Sequence, residues 1–173
     1  MAGSSIYYWD ACLFLAWLKD EATRQPGEMD GVRDVVDRVK RRDVQLVTST
    51  ITFTEVMSAD LPAGVANLFR DLMKRRNVTP ISVDVPIANF ASDLRAHYKA
   101  RPTEYNGKTI STPDAIHLAT AILYKVDEFH TFDNGKKGNS LGLLQLDGNV
   151  GGHKMRVCKP TAFQMGMDLR AKE

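Results

Sequence analysis

Asp10, Glu55, Asp114 and Asp133 each stand where a secondary-structure element is expected to begin or end. They are far apart along the chain, yet their contexts put them at one edge of one sheet. Two unit charges roughly 4 Å apart cost about 1 kcal/mol in water and about 4 kcal/mol at an effective dielectric of about 20. A divalent cation relieves that repulsion. Hard cations take oxygen ligands, and Mg²⁺ is typically held by one or two carboxylates together with waters and a substrate phosphate. The four acids therefore point to metal-dependent phosphodiester chemistry.

Taken singly, each acid has a plainer explanation. Asp10 can be the N-cap of the helix after it. Thr52-x-x-Glu55 matches a capping box. Thr112 can cap a helix with Pro113 at its first position, where Asp114 meets the helix dipole favourably. Asp133-Asn134-Gly135 is turn chemistry. A cap, however, needs only an oxygen acceptor, which Ser or Thr also supplies. Four carboxylates at one edge need a further reason.

The elements that must position these acids are legible in the pattern. Ile6 to Trp9, Val44 to Thr48, Val78 to Val83, Glu128 to Phe132 and Met155 to Cys158 read as strands. Pro80 makes the third an edge strand. Helices are expected over Ala11 to Lys19, Glu28 to Arg42, Ser49 to Ala59, Gly64 to Arg76, Val85 to Lys99 and Thr112 to about Tyr124. Arg101 to Ser111 is a polar loop. Gly135 to Gly152 is glycine-rich, with one apolar turn at Leu141 to Leu146. Alternating strands and helices predict an α/β fold with a mostly parallel sheet, which binds ligands outside the carboxyl ends of its strands. A single domain over residues 1–163 with a tail at 164–173 is expected.

The 173 residues are 43% hydrophobic and 25% charged, with a formal net charge of +2. That is the balance of a soluble globular protein, less basic than a dedicated nucleic-acid binder. Lys40-Arg41-Arg42, Lys74-Arg75-Arg76 and Lys136-Lys137 read as solvated surface. Cys12 and Cys158 make no disulfide framework and read as small core residues. No signal peptide opens the chain, and its longest apolar run, Ala11 to Leu18, is too short for a membrane span. A cytoplasmic protein is expected.

Four segments, in order, resemble the motifs of PIN domains. They are Tyr7-Tyr8-Trp9-Asp10 before an apolar helix, Ile51-Thr52-Phe53-Thr54-Glu55-Val56, Thr112-Pro113-Asp114-Ala115-Ile116-His117-Leu118-Ala119-Thr120-Ala121, and Thr131-Phe132-Asp133. The third is the most specific. The resemblance covers roughly residues 6 to 160 and implies a three-layer α/β/α fold with a five-stranded sheet of order 3-2-1-4-5.

In size the chain is similar to the VapC-type toxins of bacterial toxin–antitoxin pairs. That likeness implies an endoribonuclease cutting single-stranded or loop RNA with Mg²⁺, Mn²⁺ serving as a substitute. It implies a homodimer silenced by a small antitoxin protein. Asp10, Glu55, Asp114 and Asp133 carry over as metal-site acids, with Thr131 and His117 in support. Where many members place another acidic or polar group two residues after the last Asp, this chain has Gly135, which leaves one or two ions open.

Two rivals stand beside this reading. A phosphohydrolase with an Asp nucleophile wants a second acid two residues on, and Cys12 holds that place. A catalytically silent PIN-like module would bind RNA or protein without cutting.

Overall fold

The structure, a computed structural model, describes residues 4–21, 23–62, 64–135 and 140–162. The expected tail, and Lys136 and Lys137, lie outside them. The strands are β1 (Ile6–Trp9), β2 (Gln45–Ser49), β3 (Val78–Ile81), β4 (Glu128–His130) and β5 (Arg156–Cys158). The helices are α1 (Ala11–Lys19), α2 (Glu28–Arg41), α3 (Ile51–Met57), α4 (Val65–Met73), α5 (Val85–Lys99) and α6 (Thr112–Leu123), with a short 3-10 turn at Leu143–Leu146.

The strands form one sheet in the order β3-β2-β1-β4-β5, every pair parallel. This is the expected order, and Pro80 does lie on an edge strand. A parallel sheet needs cover on both faces. Successive residues of β1 show how it is met: Tyr8 and Trp9 are both fully buried, on opposite faces. Tyr8, Val47, Phe129 and Val157 pack with α5 and α6. Trp9, Leu46 and Val78 pack with α1, α2 and α4. The layers are therefore α/β/α.

Element ends shift by one to three residues from expectation, the most at α4, which ends at Met73 and not Arg76. β3 and β4 stop short of Val83 and Phe132. Thr131 still donates its amide to the Cys158 carbonyl at 3.0 Å, so β4 leaves the sheet gradually. Leu141, Leu143 and Leu146 are buried, so the glycine-rich stretch does carry the expected apolar turn.

The basic clusters on α2 and α4 lie at the C-terminal ends of those helices, which lead into the amino ends of β2 and β3. That is the edge opposite the four acids. Lys40, Arg41 and Lys74 pair there with Asp37, Asp43 and Asp71, as solvated helix ends do. No helix among the described residues is long and apolar enough to cross a membrane.

α2 meets the end of β5 at Gly31, where an added Cβ would stand 2.0 Å from the Pro160 carbonyl oxygen. Backbone cannot yield as a flexible side chain does. Gly31→Ala is expected to cost about 1–3 kcal/mol, the usual range for overpacking, read as a lowered Tm.

Candidate metal centre

Each acid is placed by the end of an element at the carboxyl edge of the sheet. Asp10 follows β1 and caps α1, accepting the Leu13 amide at 3.3 Å. Its other oxygen accepts the Thr131 hydroxyl at 2.6 Å. Thr131 stands just beyond β4 and its Oγ1 in turn accepts the Asp133 amide at 3.0 Å. Thr131 thus ties the first acid to the last across β1 and β4.

α6 begins at this same edge and runs back to the start of β4. Its N-cap is Ser111, not Thr112, which moves Pro113 one place into the helix. Ser111 and Asp114 bond reciprocally: the Asp114 amide reaches Ser111 Oγ, and the Ser111 hydroxyl donates to the Asp114 carboxylate. The amide bond is one half of a capping box; in place of the other half, the carboxylate takes the Ser111 hydroxyl and not the Ser111 backbone N–H. One turn on, His117 is buried, with Nε2 2.8 Å from Glu55 Oε2 and Nδ1 2.7 Å from the Tyr8 hydroxyl.

The capping box expected at Thr52 and Glu55 is absent. α3 has no side-chain cap, and Thr52 bonds Thr48 at 2.8 Å instead. Glu55 is left to His117. Both cysteines also differ in part from expectation. Cys12 donates its thiol to Asp10 at 2.8 Å, and Cys158 contacts Glu128. Both are half-buried partners of carboxylates, and Cys12 also packs against the apolar core, as expected. Burial and the Asp10 charge push the Cys12 thiol well above its usual range, so it stays a proton donor.

Burial raises the Asp10 carboxyl above its ordinary range, against the opposing pull of His117, Cys12, Thr131 and the Leu13 amide. Burial also raises Asp114, and the Asp133 charge adds to it. Both effects disfavour negative charge. Among the described residues, no lysine or arginine forms an ion pair with any of the four acids. Buried and half-buried carboxylate oxygens with no lysine or arginine paired to them are the chemistry that suits a hard cation. Their free capacity is uneven. Asp133 accepts Gly135 N–H on Oδ1 at 2.9 Å and Leu143 N–H on Oδ2 at 3.2 Å. Asp114 and Glu55 each have one oxygen in a side-chain hydrogen bond among the described residues.

The PIN-domain family model matches residues 7–137, a span that takes in all four acids. The chain belongs to the PIN-domain family. PIN domains are generally nucleases and typically use a divalent metal. A search of the curated proteins returns no match. Among solved structures, this PIN domain is similar to VapBC2 from Rickettsia felis bound to a DNA fragment from their promoter. The TM-score is 0.53 at 14% identity, over 79% of this chain and 96% of that one, which shows a shared fold.

A second group in this PIN domain has three ligand atoms within 4.8 Å of one another: Glu128, His130 and Cys158. The four acids do not close that tightly. The closer trio is nevertheless occupied by its own hydrogen bonds. Trp9 Nε1, which can only donate, points at His130 Nδ1 at 3.1 Å. The proton of a neutral imidazole must then sit on Nε2, which donates to Glu128 Oε2 at 2.9 Å. Arg156 covers the other Glu128 oxygen at 3.2 Å. The set reads as a clasp between β4 and β5.

Sequence reasoning missed Tyr8 and Ser111. Ser111 was findable, since Ser-x-x-Asp is a capping signature before an apolar run. Tyr8 was not, because its role depends on His117, 109 residues away.

Proposed function

We propose that this chain is a metal-dependent endoribonuclease, the toxin of a toxin–antitoxin pair, cutting single-stranded or loop RNA in the cytoplasm. The observation that carries the reading is the placement of buried Asp10 and of Asp114, whose carboxyl is raised by burial and by the Asp133 charge, at the carboxyl edge of a PIN fold, with no lysine or arginine paired to either among the described residues. Asp10, Glu55, Asp114 and Asp133 are the residues that would hold Mg²⁺ or Mn²⁺. When bound, such an ion lowers the pKa of water and neutralises charge on phosphoryl oxygens. Water attacks the scissile phosphorus in line and the 3′ oxygen leaves.

The residues of the chain do the positioning. Thr131 holds the Asp10 carboxylate, and Ser111 holds that of Asp114. A groove of about 550 Å³ borders Phe132 and Asn134, on either side of Asp133. Arg24 and Lys159 also line it, and the Arg24 guanidinium lies 3.9 Å from the Phe132 ring centroid. Both cations are paired there, with Glu21 and Glu28, which line the groove too, so the groove adjoins the Asp133 turn without presenting free positive charge. The similar VapBC2 structure supports an antitoxin partner as part of the reading; a homodimer is part of it on the family resemblance alone.

The expected result is cleavage of structured RNA in Mg²⁺ that stops when EDTA is added and resumes with excess metal. Binding without cleavage in either Mg²⁺ or Mn²⁺ would favour a silent module. The feature in favour of that second reading is Asp133, both of whose oxygens are already engaged by backbone amides.

A further inference from the structure

We propose that Tyr8 and His117 form a buried positioning relay that fixes which oxygen of Glu55 faces the metal site. The inference rests on the reading of Glu55 as a metal-site acid.

Three elements meet in the relay: Tyr8 from β1, His117 from α6 and Glu55 from α3. Tyr8 is fully buried and His117 nearly so, while the Glu55 side chain is 32% exposed. A glutamate that open has rotamers to lose and needs a partner to hold it. His117 Nε2 is that partner, 2.8 Å from Oε2. A carboxylate can only accept, so Nε2 carries the proton. The relay takes the ring as the neutral imidazole, in which a proton on Nε2 leaves a bare lone pair at Nδ1.

Tyr8 supplies the donor that lone pair requires, at 2.7 Å. The chain of donors therefore runs one way, from Tyr8 through His117 to Glu55, and it leaves Glu55 Oε1 free. Without the Tyr8 hydroxyl, the imidazole can move its proton to Nδ1. It then turns a lone pair toward Glu55, and the carboxylate swings away.

The ring of Tyr8 stacks on Phe129 with centroids 4.9 Å apart, a contact that Tyr8→Phe keeps. That variant removes the hydroxyl alone. The experiment measures Mn²⁺ binding by EPR in the full chain, for the wild type, Tyr8→Phe, His117→Gln and His117→Ala, alongside Tm and the ¹⁵N shifts of the His117 ring.

The expected wild-type spectrum shows Nε2 protonated and Nδ1 bare. Tyr8→Phe is expected to mix the tautomers and to weaken Mn²⁺ binding about tenfold, the lower end of the loss for an outer partner of a metal site. His117→Gln keeps an N–H donor and is expected to bind Mn²⁺ more tightly than His117→Ala. A purely structural role would move Tm without this order. The relay is overturned if the wild type binds Mn²⁺ and Tyr8→Phe and His117→Ala bind it equally well. It is also overturned if the wild-type proton sits on Nδ1. A wild type that binds no Mn²⁺ would instead overturn the metal-site reading, while the ring spectrum would still decide the hydrogen-bond chain.

Discussion

Asp114→Asn is expected to lower metal-dependent RNA cleavage at least about 100-fold, the upper end of the loss from removing a mere outer-shell partner, and to raise Tm in EDTA. The two effects have one cause. Asp114 is largely buried beside Asp133, and both burial and that neighbour push its carboxyl above its usual value of 3.8. The folded chain then holds a proton that the unfolded chain has released. The stability linked to that proton is fully present below pH 3.8 and is lost as pH rises through the folded value. At neutral pH without metal, the charged carboxylate costs stability.

Asparagine keeps the shape and an oxygen for the Ser111 hydroxyl, and it removes the charge. For a chain of this size, each 1 kcal/mol relieved raises Tm by about 2–4 °C. Thermal melts of wild type and variant from acid to neutral pH check the sign. The curves should converge in acid and separate as pH rises. Saturating Mg²⁺ should raise the wild type and leave the variant nearly unmoved. A folded Asp114→Asn protein that cleaves RNA near normally would end the assignment of Asp114 to the metal site.

The fold was readable because strand and helix periods differ and alternate along the chain, and because strands buried on both faces, such as Ile6–Trp9, run without polar breaks. The acids were readable because local signals placed them at element ends. What stayed hidden was the division of each acid's hydrogen bonds. Glu55 sits three residues after Thr52, a spacing that fits a cap. Yet Thr48, one turn before Thr52, takes its hydroxyl, and His117 takes Glu55. Cys12 sits between alanine and leucine in sequence, but its thiol meets Asp10 and Thr131. Two of these choices, His117 for Glu55 and Thr131 for Cys12, are made between residues distant in sequence, where local pattern carries no information. The comparisons settle the family; the roles of the individual acids rest on geometry and on the experiments above.

Gly142→Ala is expected to disable the site from outside it. The Gly142 backbone lies against the turn after Asp133, and an added Cβ would stand 2.2 Å from Gly135 N and 2.3 Å from the Asn134 carbonyl carbon. Both are backbone atoms, and Gly135 is itself held at φ +72 with its own close approach to Gly142. Neither side can give way without parting the two segments. This contact brings the Leu143 amide to Asp133 Oδ2 and the Leu144 amide to the Asp133 carbonyl at 2.9 Å. Parting the segments therefore releases the last acid.

Gly142 has an ordinary φ of −71, so alanine strains no backbone angle of its own there. The clash is the whole effect. A stability loss of about 1–3 kcal/mol follows from overpacking, and cleavage should fall at least about tenfold at temperatures where the variant remains folded. Gly148→Ala is the control. Gly148 has φ +81 but open space around it, so it tests glycine conformation without the clash. It should lose some stability and keep its activity. Equal activity in the two variants would show that the Asp133 turn does not need the support of Gly142.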